Sequence, residues 1–426
     1  MPVCELLATM HTDAEAFLAR IRAYPDDDTH RLILADWLDE QGDPRGAFIR
    51  IQLARAHPPE SGEIDRQLQN QERALLDAHR AAWEAPLRAC GASGCEFRRG
   101  FIDEIKIEAQ QLLRNAHILF SLSPIRHIHL LDVGESLTDV FRCPYLSRLT
   151  ALTIHAQHIG DSLARVAAAS EHLAGLKRLT LTKNRLTNDA AEYLAVSPHL
   201  ARLEELILTD NEIGETGARA LAASPYLGHL QRLEVGGNRF GPAGAEAIAC
   251  SESLSSLEIA GFSDNVLGTP RLHTLGRVYE LLRIPRLDLS ANGLNASSLQ
   301  AILHRPAHAE AMPVRLRELD LSFNELGDAG ARVLAACPHL SQLEVLRLGN
   351  CAIGDDGTRA LANSPFLNQV AELNLENNPI GDSGFRAFLD SPHWRSLRRL
   401  NPPRIGLSPG IRLALDGHFN RSLQQR

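Results

Sequence analysis

From about residue 100 the chain repeats a single arrangement of apolar and polar positions. Leu203-x-x-Leu206-x-Leu208-x-x-Asn211-x-Ile213 recurs as Leu176, Leu179, Leu181, Asn184, Leu186, as Leu230, Leu233, Val235, Asn238, Phe240, and as Leu316, Leu319, Leu321, Asn324, Leu326. Asn184, Asn211, Asn238, Asn265 and Asn292 follow one another at 27 residues, and after one longer interval so do Asn324, Cys351 and Asn378. Looser units place Gln110, Val133 and Gln157 at the same position, and Ile405 marks a terminal one, which brings the count to twelve. The Leu-x-Leu part alternates like a strand with one buried face. The Asn that follows stands where the chain turns and backbone groups need a side-chain partner.

A helical stretch completes each unit. Residues 213–223 place Ala218, Leu221 and Ala222 on one face before Ser224-Pro225 ends the run. Ile353-Gly354-Asp355-Asp356-Gly357 and Ile380-Gly381-Asp382-Ser383-Gly384 repeat the opening, and Ser197-Pro198, Cys337-Pro338, Ser364-Pro365 and Ser391-Pro392 repeat the close. Such a strand–helix unit cannot bury its apolar face alone and must stack on its neighbours. Asn292 to Asn324 spans 32 residues, and the surplus falls between His308 and Leu316, so the segment 309–315 is expected to be a lengthened surface loop beside Asp320.

Residues 1–99 follow a different period. Phe17, Leu18 and Ile21 predict a helix over 13–24, and Leu32, Ala35 and Leu38 a second over 29–40. Asp43-Pro44 opens a third carrying Phe48, Ile49 and Leu53, and Leu68, Leu75, Leu76 and Trp83 place a fourth over 63–87. The expected organisation is therefore a helical domain and cap at 1–99, a repeat array at 100–406 and a C-terminal cap or tail at 407–426. The strand beginning near Ile102 is expected to have no predecessor, so that the helical domain covers the open start of the array.

Composition sharpens this. In 426 residues, 44% are hydrophobic but only 5% aromatic, which suits many small stacked units over one aromatic-anchored interior. The longest run without Asp, Glu, Lys or Arg is Leu289–His304, too short and polar for a bilayer, and residues 1–6 show no secretory leader, so a cytoplasmic protein is expected. A net charge of −8 argues against nucleic acid as the general partner. Seven cysteines form no paired metal-binding spacing: Cys90 and Cys95 stand alone, Cys143 and Cys337 take a slot otherwise filled by small Ser residues, and Cys351 takes the Asn position.

These motifs make the chain resemble the leucine-rich repeat family, in the long-repeat subtype similar to ribonuclease inhibitor and the Ran GTPase-activating protein. The resemblance implies an α/β solenoid with a parallel concave sheet and convex helices. Residues 10–55, with Pro25-Asp26-Asp27-Asp28, Arg31-Leu32, Ala35-Asp36-Trp37-Leu38 and Gly42-Asp43-Pro44-Arg45, resemble the bacterial repeat-companion domain, which stands ahead of repeat arrays. That likeness implies an architecture with no established activity.

The candidate chemistry lies on the concave face, where strand residues alternating with the core leucines point outward. One column reads Arg178, Glu205, Arg232, Ile259, Arg286, Glu318, Val345, Glu372 and Arg399, and opposite charges often stand side by side there. The next runs from Lys106, His129 and Thr153 to Glu234, Gly261, Asp288, Asp320, Arg347 and Asn374, bringing Asp288 and Asp320 together as an acidic spot for a basic partner. The residues expected to bind a partner are Arg178, Glu205, Arg232, Asp288, Asp320, Arg347 and Glu372. His127 and His129 share one strand face with His155 on the next; they read as exposed polar histidines, and no metal is expected. Asp26, Asp27, Asp28, Asp36 and Asp43 lack calcium-loop spacing and read as helix-start and ion-pair carboxylates, with Arg31, Arg45 and Arg50 as available partners.

No nucleophile motif or phosphate loop is present, so the expected function is a monomeric, non-enzymatic, cofactor-free scaffold binding an unknown protein partner. The alternative is a GTPase activator by analogy with the Ran activator, although no activating residue carries over onto this sequence.

Overall fold

The computed structural model describes residues 12–57, 62–268, 277–304, 314–403 and 406–419. It divides into two compact units, residues 1–157 with 169–180, and residues 158–168 with 181–426.

The first unit opens with helices α1 (Thr12–Ala23), α2 (Asp28–Glu40), α3 (Arg45–Ala56) and α4 (Gly62–Ala89). Two of them begin on a side-chain cap. The Asp27 side chain accepts from Thr29 N at 2.9 Å to start α2, and Asp43 accepts from Arg45 N at 2.8 Å at the start of α3. Asp36 and Asp39 pair with Arg50, as that arginine's placement suggested. Arg31 instead buries and donates to Pro25 O at 2.8 Å, while the Arg45 guanidinium lies 5.5 Å and 5.4 Å from the Trp83 and Phe101 rings. Burial pushes both guanidinium groups down to about 10. Arg99 and Arg126, outside the helices, supply the remaining partners: Arg99 for Asp28 at 3.4 Å and Arg126 for Asp26 at 2.7 Å.

Strand β1 (Ser93–Arg98) corrects the expectation that the first repeat strand has no predecessor. It pairs antiparallel with β2 (Phe101–Glu108), turning through Arg99 and Gly100, both at positive φ. Its inward residues are Cys95 and Phe97, buried as free thiol and ring, and burial pushes the Cys95 thiol up to about 11. Helix α5 (Ala109–Leu122), β3 (His127–Leu131), α6 (Leu137–Phe141), β4 (Ala151–Ile154) and β5 (Arg178–Thr180) complete this unit, with β2 to β5 parallel in chain order. Leu18, Ile21, Leu34, Ala35, Leu38, Ile49 and Leu53 of the helices share one apolar cluster with Phe101 of β2.

The second unit is a leucine-rich repeat solenoid. It contains α7 (Asp161–Ala168), α8 (Asn188–Ala195), β6 (Glu205–Ile207), α9 (Glu215–Ala222), β7 (Arg232–Glu234), α10 (Gly241–Ala249), β8 (Ile259–Gly261) and β9 (Arg286–Asp288). There follow α11 (Ala296–Leu303), β10 (Glu318–Asp320), α12 (Gly327–Ala335), β11 (Val345–Arg347), α13 (Asp355–Ala362), β12 (Glu372–Asn374), α14 (Asp382–Asp390), β13 (Arg399–Asn401) and α15 (Pro409–Phe419). Strands β6 to β13 run parallel in chain order. Most of the lengthened loop at 309–315 lies outside the described residues, as does Ile405.

Three ladders of hydrogen bonds stack the repeats. Asn324 shows the first: its Oδ1 accepts from Asn292 N at 3.0 Å and Leu294 N at 2.8 Å, and its Nδ2 donates to Leu289 O at 3.0 Å and Leu321 O at 2.9 Å. Asn211, Asn238, Asn265, Asn292 and Asn378, all buried, likewise accept from a backbone N–H of the preceding repeat and donate to one of its carbonyls, and Cys351 donates its thiol to Leu321 O at 3.1 Å. In the second ladder Ser197, Ser224 and Ser364 donate to Ala168 O, Ala195 O and Ala335 O, so that slot wants a hydroxyl as well as small size. In the third, a side chain from one repeat caps the next repeat's helix: Asp328 Oδ1 accepts from Gly354 N at 2.7 Å and Gly357 N at 2.9 Å, and Asp355 accepts from Gly381 N at 2.7 Å. A β-carbon on Gly357 would lie 2.6 Å from that Asp328 oxygen, which explains the Gly-Asp-x-Gly openings.

Candidate functional site

Most strands of the second unit are three residues long with a buried middle residue and flanking residues partly exposed on the concave face. The pairing register aligns the flanking residues into two columns. Glu205, Arg232, Ile259, Arg286, Glu318, Val345, Glu372 and Arg399 form the first, and Glu234, Gly261, Asp288, Asp320, Arg347 and Asn374 lie in the second. Of the residues expected from sequence, Glu205, Arg232, Asp288, Asp320, Arg347 and Glu372 thus share this face. Arg178 starts β5 in the other unit.

Many first-column charges neutralise one another. Glu318 lies between Arg286 at 3.8 Å and Arg347 at 3.9 Å, and Glu372 pairs with Arg399 at 3.0 Å. Half-exposed pairs of this kind contribute about 0–1 kcal/mol each.

The second column behaves differently. Around Gly261 it forms a depression of about 250 Å³ lined by Arg232, Glu234, Arg286, Asp288, Asp320 and Arg347, among others. Gly261 is its floor: a β-carbon there would fall 1.7 Å from Glu234 Oε2, so the glycine lets that carboxylate lie across the strand. Asp288 stands directly opposite Asp320 in the register, an arrangement that costs energy between like charges. Burial holds the Asp320 carboxyl above the ordinary range, with Asp288 adding repulsion, against the hydrogen bond from Ser322 N at 2.9 Å. Burial likewise raises Glu234; Arg232, 3.0 Å away, opposes the shift, while Asp288 and Glu205 reinforce it. Three carboxylates converging on a cavity, two of them under strain as anions, favour an incoming cationic group. Glu234 and Gly261 were readable as column members, but the glycine's meaning depends on the side chain leaning over it.

In the first unit, His127 and His129 of β3 face Glu104 of β2, and His155 is exposed just past the end of β4. Glu104, absent from the sequence expectation, takes the place that pattern gave to His155. Burial pushes the His127 imidazole down, and the two histidines draw the Glu104 carboxyl down despite its own partial burial.

The Leucine Rich repeat family matches residues 199–222, 228–249, 316–335, 339–362 and 370–389. Among solved structures, an internalin of Listeria monocytogenes aligns at 16% identity and a TM-score of 0.40, covering 72% of this chain and 82% of that one. Internalin C2 of the same organism aligns at 20% identity and a TM-score of 0.38, covering 59% and 93%. No curated protein matches the chain. No helix among the described residues is long and apolar enough to cross a membrane.

Proposed function

We propose that the protein is a non-enzymatic interaction scaffold that grips a partner protein on its concave sheet face, with the Glu234–Asp288–Asp320 depression receiving a basic side chain. The observation that carries this reading is that Glu234, Asp288 and Asp320 converge around Gly261, with burial holding Glu234 and Asp320 above the ordinary carboxyl range, on a face whose other charges largely pair off. A guanidinium or ammonium entering there would satisfy carboxylates that the sheet leaves in mutual repulsion, and would gain charge-assisted hydrogen bonds. The 27-residue strand–helix period supports the ribonuclease inhibitor-like subtype for the array. The α1–α4 cluster around Phe101 supports a repeat-companion-like cap. Free thiols at Cys90, Cys95, Cys143, Cys250, Cys337 and Cys351 support a reducing, cytoplasmic setting, and we read the scaffold as a monomer. The test is quantitative affinity capture with wild-type protein and with Asp288→Lys/Asp320→Lys: the partner should fall at least tenfold in the variant, and capture at wild-type level would place the site elsewhere.

A further inference from the structure

We infer that Glu104, His127 and His129 form a binding site for one divalent transition-metal ion of the zinc type, with a coordination position left open toward solvent. The site lies in the first unit and does not depend on the partner-binding reading.

Sheet pairing builds it. In the β2–β3 register Glu104 stands directly across from His127, and His129 follows two residues later on the same face. His127 Nδ1 lies 3.0 Å from one Glu104 oxygen and His129 Nε2 lies 2.7 Å from the other. One donor atom from each residue falls within 4.8 Å of the other two. A tetrahedral ion with bonds of about 2.0–2.2 Å needs donors roughly 3.3 Å apart. The two histidines approach different oxygens of Glu104, so with one carboxylate oxygen as ligand one edge is already that short, and the other two, within 4.8 Å, close by rotation of the carboxylate and the rings onto the ion.

The surroundings fit as well. The second nitrogen of His127, Nε2, sits 3.0 Å from Thr153 Oγ1 on β4, the outer hydrogen bond that orients a ligating imidazole. The side chains of His127, Glu104 and His129 are 13%, 23% and 25% exposed, so the donors are held by the sheet yet reachable. Two imidazoles and one carboxylate suit zinc and its neighbours, whereas magnesium and calcium call for oxygen donors. Three protein donors leave a fourth position for water or for a donor group on a bound molecule. Metal binding would switch His127 to the tautomer that donates Nε2–H to Thr153 and turns the Nδ1 lone pair to the ion.

The experiment titrates zinc chloride into the full chain after chelator treatment and dialysis, using a chromophoric zinc chelator as competitor and circular dichroism to check each variant's fold. One zinc per chain should bind, with at least tenfold weakening in Glu104→Gln and in His129→Ala. Thr153→Val should weaken binding about tenfold, and His155→Ala should match wild type. Magnesium should not compete. Because the chain has 18 histidines, adventitious zinc is distinguished on the wild-type protein itself. Diethyl pyrocarbonate labelling read by mass spectrometry should show His127 and His129 protected by one equivalent of zinc while His155 stays reactive. Absence of saturable binding, unchanged affinity in a folded His129→Ala variant, or equal labelling with and without zinc would each overturn the inference.

Discussion

Replacing Asn324 with Ala tests whether the asparagine ladder, beyond the leucine core, holds the repeats in register. Asn324 is 2% exposed and serves four backbone groups in two repeats: the N–H groups of Asn292 and Leu294, and the carbonyls of Leu289 and Leu321. Alanine removes the acceptor and leaves two buried N–H groups without it, each costing about 1–3 kcal/mol, so the variant should lose about 2–6 kcal/mol. Equilibrium unfolding in urea, followed by far-UV circular dichroism, reads this as a lower midpoint. The adjacent exposed residue provides the control, since Glu325→Ala should stay within about 0.5 kcal/mol of wild type. The converse change is equally informative. Cys351 occupies the ladder with a thiol, and Cys351→Asn should raise the stability by about 1–2 kcal/mol, read as a higher midpoint, by restoring an amide there. The reasoning is refuted if Asn324→Ala unfolds with Glu325→Ala.

Glu234→Gln and Asp320→Asn should each raise the melting temperature at neutral pH. Both carboxyls titrate above their unfolded values, so the native state holds extra protons between about pH 4 and the raised value, and wild-type stability falls as pH rises through that window; scanning calorimetry from pH 4 to 8 should find the slope flattened in the variants. Asp355→Ala removes the cap on α14 and should cost about 0.5–2 kcal/mol by urea unfolding. Hydrogen bonding, led by Ser383, holds the Asp355 carboxyl below its ordinary range, so this contribution is present above about pH 4 and is lost as pH falls through the lowered value; a loss equal at pH 3 and pH 7 would contradict the assignment. Deletion of residues 1–95 strips the apolar cluster from Phe101 and should aggregate the remainder in light scattering; a soluble fragment with unchanged melting temperature would show that the cap is dispensable.

The repeat was legible because its ladder residue and its leucines recur at fixed spacing, and the register follows once Leu206, Leu233 and Leu287 are aligned. Strand β1 was hidden because only Cys95 and Phe97 mark its inward face, too few to show a period beside the Arg99-Gly100 turn. The caps supplied by Asp328 and Asp355 act on the following repeat's helix, so a search within one helix does not find them. At the candidate site, Asp288 and Asp320 were readable as neighbours, but the depression depends on a missing side chain at Gly261 and on Glu234 lying over it. Glu104 escaped notice beside His127 because the pairing of β2 with β3, not any local motif, brings the two together.

The central claim, that a partner protein seats on the Gly261 depression, is tested most directly by photo-crosslinking in the protein's native cells. Benzoylphenylalanine replaces Ile259, which lines the depression, or Tyr193, exposed on α8, as the control. The account predicts a discrete protein adduct from position 259, absent from position 193, and lost when Asp288→Lys and Asp320→Lys are added to the 259 variant with its fold intact. An adduct from position 259 that persists at full yield in the charge-reversed protein, or no adduct from position 259 at all, would contradict it.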